Sequence, residues 1–352
     1  MKNTLCLLRG SDAFLSQHIG EVDSLEALEY FRQVLEHLSE LFKVSPQVIV
    51  HDMHPAYLTT RLARELAAER GLPLLAVQHH HAHIAACLAE HGRKGPVIGV
   101  ALDGTGYGPD GAIWGGEILI ASVEEYERAA HLEYLPLPGG EAAIRRPYRI
   151  AWGYLLATQG MLPDLPTLRS FPAQERRIVI RQVERGINTP LTSSCGRLFD
   201  AVSALTGICP VTTFEAQAAI ALELAAREAN LSRAGPYPFT IDGEGVIRIG
   251  EMLAAIASDV QGGRPVSEIA AAFHLTIAGM ISRAAEMVRE QTGLETVALS
   301  GGVFQNRLIL RLARERLRAA GFEVLSHRQV PANDGGLSLG QAVIGLHRIG
   351  QG

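Results

Sequence analysis

The chain has 352 residues, 47% hydrophobic and 20% charged, which is room for two packed lobes. A formal net charge of −5 argues against a nucleic-acid binder, whose phosphate contacts need clustered Lys and Arg. Four scattered cysteines (Cys6, Cys87, Cys195 and Cys209) form no C-x-x-C pair, the apolar run in Met1–Gly10 is too short for a signal peptide, and no 18-residue apolar run exists, so the expected setting is soluble, reducing and cytoplasmic.

In chain order, Thr4–Leu8 is a short apolar strand candidate. Asp23-Ser24-Leu25-Glu26 predicts a helix capped at Asp23, with Glu26 three residues on as a capping box wants. Leu28, Phe31, Leu35, Leu38 and Leu41 then follow at helical spacing. Val48–Val50 and Leu74–Val77 read as buried strands flanking a helix over Thr59–Arg70. Val97–Leu102 is a further strand, Asp103–Gly111 a turn, and Ile113–Ile120 the returning strand of a hairpin. The Pro/Gly segment 136–140 is the best boundary, giving expected lobes 1–140 and 141–352. Beyond it the chain is more helical to about Asn230, with a small hairpin at Gly243–Ile249 and an Ala-rich helix at Val266–Gln291. Thr296–Gly302 is a strand running into glycines, with a helix from Asn306, a late strand at Phe322–Leu325 and a closing helix at Gly336–Arg348.

Four histidines crowd into Gln78-His79-His80-His81-Ala82-His83. On a helix His79 and His83 lie one turn apart, with Cβ atoms about 5–6 Å from each other, a spacing suited to one shared metal ion. The alternative is a solvated, idle cluster. His80 and His81 point elsewhere and read as bystanders. Two imidazoles are half a site, and carboxylates or solvent must complete it.

Asp103 ends a strand, where α/β sheets place ligand residues, and reads as a metal ligand or as a carboxylate beside a phosphate. Behind it Gly104, Thr105, Gly106 and Gly108 can line a phosphate with backbone N–H groups, or merely supply positive φ to a hairpin turn. Gly301 and Gly302 let a flat base or ribose approach the backbone, with Asn306 to hydrogen-bond it, although helix entries use Gly-Gly routinely. Asp334 opens the last helix, either as a cap or facing a shared cleft. Asp200 reads equally as a ribose ligand or as a buried partner of Arg197. Cys87 is a small buried residue before it is a ligand, and Cys195 has no visible base to make it a nucleophile.

Taken together, Val77–His83, Asp103–Gly108, Ser300–Asn306 and Asn333–Ala342 resemble, in this order, the HypF carbamoyltransferase family, which matures nickel–iron hydrogenases. Phe14–Gly20, His54-Pro55, Leu137–Gly140 and Arg146-Pro147 extend the resemblance over essentially the whole chain. It is confined to the C-terminal transferase part of that family. The acylphosphatase-like, zinc-finger-like and YrdC-like modules have no counterpart here. The same part is similar to TsaD proteins of tRNA threonylcarbamoylation and to the antibiotic carbamoyltransferase TobZ.

The resemblance implies an α/β fold of the actin, sugar-kinase and heat-shock-ATPase kind, two lobes around a nucleotide and metal cleft. It implies a metal, iron or zinc, on His79, His83, Asp103 and Asp334, with magnesium as a further candidate. It places the nucleoside of ATP or AMP against Asp200, Gly301, Gly302 and Asn306, and the remaining negative charge against Gly104, Thr105 and Gly106. TsaD-like chains share the H-x-x-x-H and final Asp but lack the Asp103–Gly108 turn, and their ribose-binding glycine has no clear counterpart near Thr212–Glu215. The implied reaction moves a carbamoyl group from carbamoyl-adenylate to the C-terminal cysteine of HypE, the adenylate coming from the YrdC-like domain. A TobZ-like O-carbamoyltransferase, a TsaD-like tRNA enzyme and a non-catalytic nucleotide- and metal-binding module are the rival expectations.

Overall fold

A computed structural model describes residues 2–349. Met1 and residues 350–352, the outer limits of the two expected lobes, lie outside the described residues. The chain opens with a hairpin of β1 (Cys6–Arg9) and β2 (Asp12–Leu15). In α1 (Leu25–Phe42) the cap is Ser24, not the expected Asp23: Ser24 is the extended residue directly before the helix, and its Oγ accepts the Ala27 N–H at 3.2 Å. A parallel pair, β3 (Ile49–Asp52) and β4 (Leu74–Val77), encloses α2 (Leu58–Arg70), and α3 (His79–Glu90) leaves β4 at once.

A meander follows: β5 (Val97–Tyr107), β6 (Ile113–Ala121) and β7 (Tyr126–Leu132). The short β8 (Leu135–Pro136), helices α4 (Glu141–Arg145), α5 (Pro147–Gln159) and α6 (Ala173–Arg185), and the short β9 (Leu191–Thr192) lead to α7 (Cys195–Leu205) and α8 (Gln217–Arg227). Next come the β10 (Thr240–Ile241) and β11 (Val246–Arg248) hairpin, α9 (Gly250–Gln261) and the long α10 (Val266–Thr292). The last segment is β12 (Thr296–Ser300), α11 (Arg307–Ala319), β13 (Glu323–Ser326) and α12 (Leu337–Ile349).

The main sheet runs β10-β11-β7-β6-β5-β12-β13, with β8 and β9 joined beside β6. The expected boundary at residue 140 falls within the span of this sheet. Strand β12 pairs in parallel with β5, and β11 with β7, so strands from before and after that point share one sheet. The Pro/Gly segment begins at β8, whose pairing with β9 ties it to β6. Proline and glycine there shape a local turn, and long-range strand pairing decides the architecture.

The largest apolar cluster lies under this sheet, where α10 buries Ile269, Phe273, Ile277 and Ile281 at helical spacing and packs on α8 and α11. Helix α12 returns across the chain to pack on α3. A Cβ at Gly340 would stand 1.8 Å from Ala82 O, so these backbones meet where no side chain fits. No described helix is long and apolar enough to cross a membrane.

Candidate metal centre

Gln78 caps α3, its carboxamide oxygen accepting the His81 N–H at 2.9 Å. Every residue from His79 to Leu88 is buried, so each imidazole must find a protein partner. That rules out a solvated cluster. Gln78 Nε2 donates to His80 Nδ1 at 3.1 Å, and His81 Nε2 reaches Ser122 O at 2.7 Å. Burial pushes the His80 pKa well down and that of His81 down to about 4. These two are structural, as their directions on the helix suggest.

His79 and His83 turn their Nε2 atoms to a common point. Asp103 Oδ2 lies 3.4 Å from His79 Nε2 and 2.9 Å from His83 Nε2, and Asp334 Oδ1 lies 3.6 and 3.7 Å from the same nitrogens. The four donor atoms all fall within 4.8 Å of one another. A tetrahedron with bonds of about 2.0 Å has edges of roughly 3.3 Å, so the donors stand near the separations one ion needs. Buried His79 Nε2 has no hydrogen-bond partner of acceptable geometry, as an atom reserved for a ligand would. The residues fit a divalent metal. Two imidazoles with two carboxylates suit zinc or iron.

The opposite ring nitrogens are also held. His79 Nδ1 donates to Asp52 Oδ2 at 2.7 Å, and His83 Nδ1 faces Ser300 Oγ at 3.5 Å. Sequence reasoning missed Asp52. It ends β3 opposite Val77 of β4, two residues before His79, so the strand pairing delivers it to the ring. Burial opposes charge on both imidazoles, but Asp52 with Asp103 and Asp334 raises His79, and Asp103 with Asp334 raises His83. Burial likewise opposes charge on Asp103 and Asp334, and the two histidines outweigh it and lower both.

Asp103 does not begin a turn, contrary to expectation. Strand β5 continues to Tyr107, and Leu102 pairs with Gly116 while Gly106 pairs with Trp114, leaving residues 103–105 opposite Gly115 alone. This bulge aims the carboxylate at the histidines. None of Gly104, Gly106 and Gly108 has positive φ. A Cβ on Gly106 would lie 2.4 Å from the His80 ring, and one on Gly108 2.3 Å from Trp114 Nε1. Those two glycines therefore admit neighbouring rings, and the Gly108 N–H is spent on Ala112 O. The Gly104 N–H goes to Asp103 Oδ1 at 2.7 Å, and Thr105 is exposed.

The second glycine turn also serves Asp103. Gly301 has φ +101° and a Cβ there would meet Leu102 O at 2.2 Å, while the Gly302 N–H reaches Asp103 Oδ1 at 3.2 Å. Asn306 caps α11, accepting the Ile309 N–H at 3.0 Å, and its Nδ2 donates to His274 Nε2 at 3.0 Å. Asp200 is 3% exposed and paired with Arg197 at 2.8 Å, the second of its two readings, and burial pushes it up to about 6. At the last turn Asn333 does the capping, accepting the Gly335 N–H, and this frees Asp334 for the cluster. Cys87 is buried outside the cluster, its thiol pushed up to about 12. Burial also raises Cys195, and both thiols are shut away from solvent.

Residues 1–90 match the family model "HypF Kae1-like domain", and residues 99–341 match "Carbamoyltransferase, Kae1-like Domain, second subdomain". The chain belongs to the HypF carbamoyltransferase family. A carbamoyltransferase HypF2 of Cupriavidus necator is 38% identical over 374 residues, covering 99% of this chain and 46% of the relative. A HypF homolog of the same organism is 39% identical over 355 residues, covering 97% of this chain and 88% of the relative. Full-length HypF, solved in a phosphate- and nucleotide-bound form, superposes with TM-score 0.92 at 43% identity over 100% of this chain and 54% of that one. The expected α/β class holds, with the HypF fold. The chain spans about half the length of the first curated HypF relatives it matches. The two HypF models divide between α3 and β5, so His79 and His83 come from one subdomain while Asp103 and Asp334 come from the other.

Proposed function

We propose that this chain is a carbamoyl-transfer domain that moves the carbamoyl group of carbamoyl-adenylate to a cysteine thiol, the C-terminal cysteine of a HypE-type partner. The observation that carries this reading is the buried, charge-balanced set of His79, His83, Asp103 and Asp334 at the junction of two HypF subdomains. Their relatives are carbamoyltransferases by name, and one HypF structure holds phosphate and nucleotide.

A mixed anhydride is already activated and a thiolate is a strong nucleophile, so the site supplies orientation and charge rather than a covalent intermediate. The thiolate sulfur adds to the carbamoyl carbon, the bond from that carbon to the phosphate oxygen breaks, and AMP leaves. His79, His83, Asp103 and Asp334 would hold a divalent metal, which would supply Lewis-acid charge for a carbamoyl or phosphate oxygen. Asp52 keeps the His79 ring turned so that Nε2 faces the cluster. Asp334, with 22% of its side chain exposed against 0% and 1% for the histidines, marks the open side by which substrate enters. Exposed Thr105, in the bulge beside Asp103, offers backbone to the phosphate, while the Gly104 N–H stays on Asp103 Oδ1. The nucleoside lies toward the Gly301–Asn306 turn, and the bonds around Asn306 and Asp200 give those two side chains structural duties first.

The test is mass spectrometry of a HypE-type C-terminal cysteine peptide after incubation with the zinc- or iron-loaded chain and preformed carbamoyl-adenylate. A gain of one carbamoyl group on sulfur is expected. No gain, with a full-length HypF transferring under the same conditions, would overturn the reading.

A further inference from the structure

Helix α3 carries a third polar group on the side that bears its two cluster histidines. Glu90 lies seven residues beyond His83, about two turns along the same face. Its Oε1 is 2.6 Å from His327 Nδ1, and its Oε2 accepts the backbone N–H groups of Arg328 at 2.9 Å and Gln329 at 2.8 Å. His327 Nε2 is 2.8 Å from Ser300 Oγ, and Ser300 Oγ is 3.5 Å from His83 Nδ1. Ser300 is wholly buried, and the side chains of His327 and Glu90 are 6% and 4% exposed. The chain of contacts thus runs from the end of α3, through the turn after β13 and the end of β12, back to α3.

Chemistry allows this chain one direction. A carboxylate only accepts, so His327 Nδ1 donates to Glu90. Burial holds His327 below its usual pKa, and a neutral ring then leaves Nε2 to accept the Ser300 O–H. The lone pairs of Ser300 Oγ face His83 Nδ1–H. With Nδ1–H held there, Nε2 is the His83 nitrogen left to face the cluster, where its lone pair would serve a metal ion held with Asp103 and Asp334. Glu90 performs a second task, since the two amides it binds precede Asp334 by only a few residues.

We propose that Ser300, His327 and Glu90 are positioning residues for the metal centre, fixing the tautomer of His83 and tying the segment that bears Asp334 to the helix that bears the histidines. This rests on the metal reading above and adds the groups that set its affinity. Partners of this kind commonly contribute about 10–100-fold in metal affinity.

The experiment titrates the intact chain with zinc alone, in competition with a chromophoric chelator, for wild type, Ser300→Ala, Ser300→Thr and His327→Leu. Melting temperature is recorded for each. Ser300→Ala and His327→Leu should bind zinc about 10–100-fold more weakly while melting cooperatively. Ser300→Thr keeps the hydroxyl and should recover most of the affinity. Should Ser300→Ala fail to fold, His327→Leu, on a turn outside the strand core, decides. Wild-type chain that takes up no zinc would remove the metal centre itself. Wild-type binding matched by both disruptive variants, or a Thr variant as weak as Ala, would overturn the relay and leave the metal centre standing.

Discussion

His83 Nε2 lies 2.9 Å from Asp103 Oδ2, although one residue comes from the second turn of a helix and the other from a bulge in mid-strand. Their meeting is not fixed by local geometry. The helix start depends on Gln78, and the bulge depends on glycines at positions 115 and 116 that let Ser193 and Ser194 close in. Ser194 Oγ donates to Asp103 O at 2.8 Å and so binds the N-terminus of α7 to the bulge. The separation of two side-chain atoms is therefore a readout of how three elements pack.

The ligand set should divide the histidines cleanly. His79→Ala, His83→Ala and Asp103→Ala should each abolish stoichiometric metal, because the donors form one cluster. His81→Ala should retain it, since that ring is engaged with Ser122 O on the other side of the helix. Elemental analysis of purified variants is the measurement, and full metal in the first three would remove the site.

Acid should weaken the fold through His274. This ring is buried, and burial lowers its pKa from 6.5 to about 4 against the opposing bond to Ala270 O. The folded state therefore favours the neutral ring, and the unfolded state binds the extra proton between those two values. Its contribution is fully present above about pH 6.5 and lost as pH falls toward 4, a difference on the order of 3 kcal/mol. Urea unfolding across that window should show a slope that His274→Gln flattens.

Asn306→Ala should cost stability. It removes the cap of α11 and strands His274 Nε2, and caps are worth about 1 kcal/mol each. A loss of about 1–2 kcal/mol in urea is expected. Asn306→Asp keeps the cap oxygen and should lose less.

Two helical glycines should respond with opposite signs. Gly340→Ala forces a methyl to within 1.8 Å of Ala82 O and should destabilise by about 1–3 kcal/mol or more. Helix α12 would also shift together with Asp334, so metal affinity should fall. In α10 a Cβ at Gly279 meets only Phe239 at 3.7 Å, and Gly279→Ala should raise stability by about 0.5–1 kcal/mol. Melting temperatures of the two variants check the contrast.

The sequence by itself determined the local elements and the chemistry-bearing residue types. Period and punctuation placed the strand Leu74–Val77 at its observed limits, the histidine helix and the long Ala-rich helix. These are short-range properties, set by bonds between residues a few positions apart. The spacing of His79 and His83 belongs to the same class. Tertiary structure decided the rest. It made Asp103 the tip of a bulge rather than the start of a turn, and it joined β5 to β12 across the supposed boundary at 140. It also turned Asn306 into a cap, paired Asp200 with Arg197, and brought Asp52, Ser300, His327 and Glu90 to the backs of His79 and His83. A buried polar atom takes whichever partner packing brings within about 3 Å, and packing between strands some two hundred residues apart leaves no periodic trace in the chain.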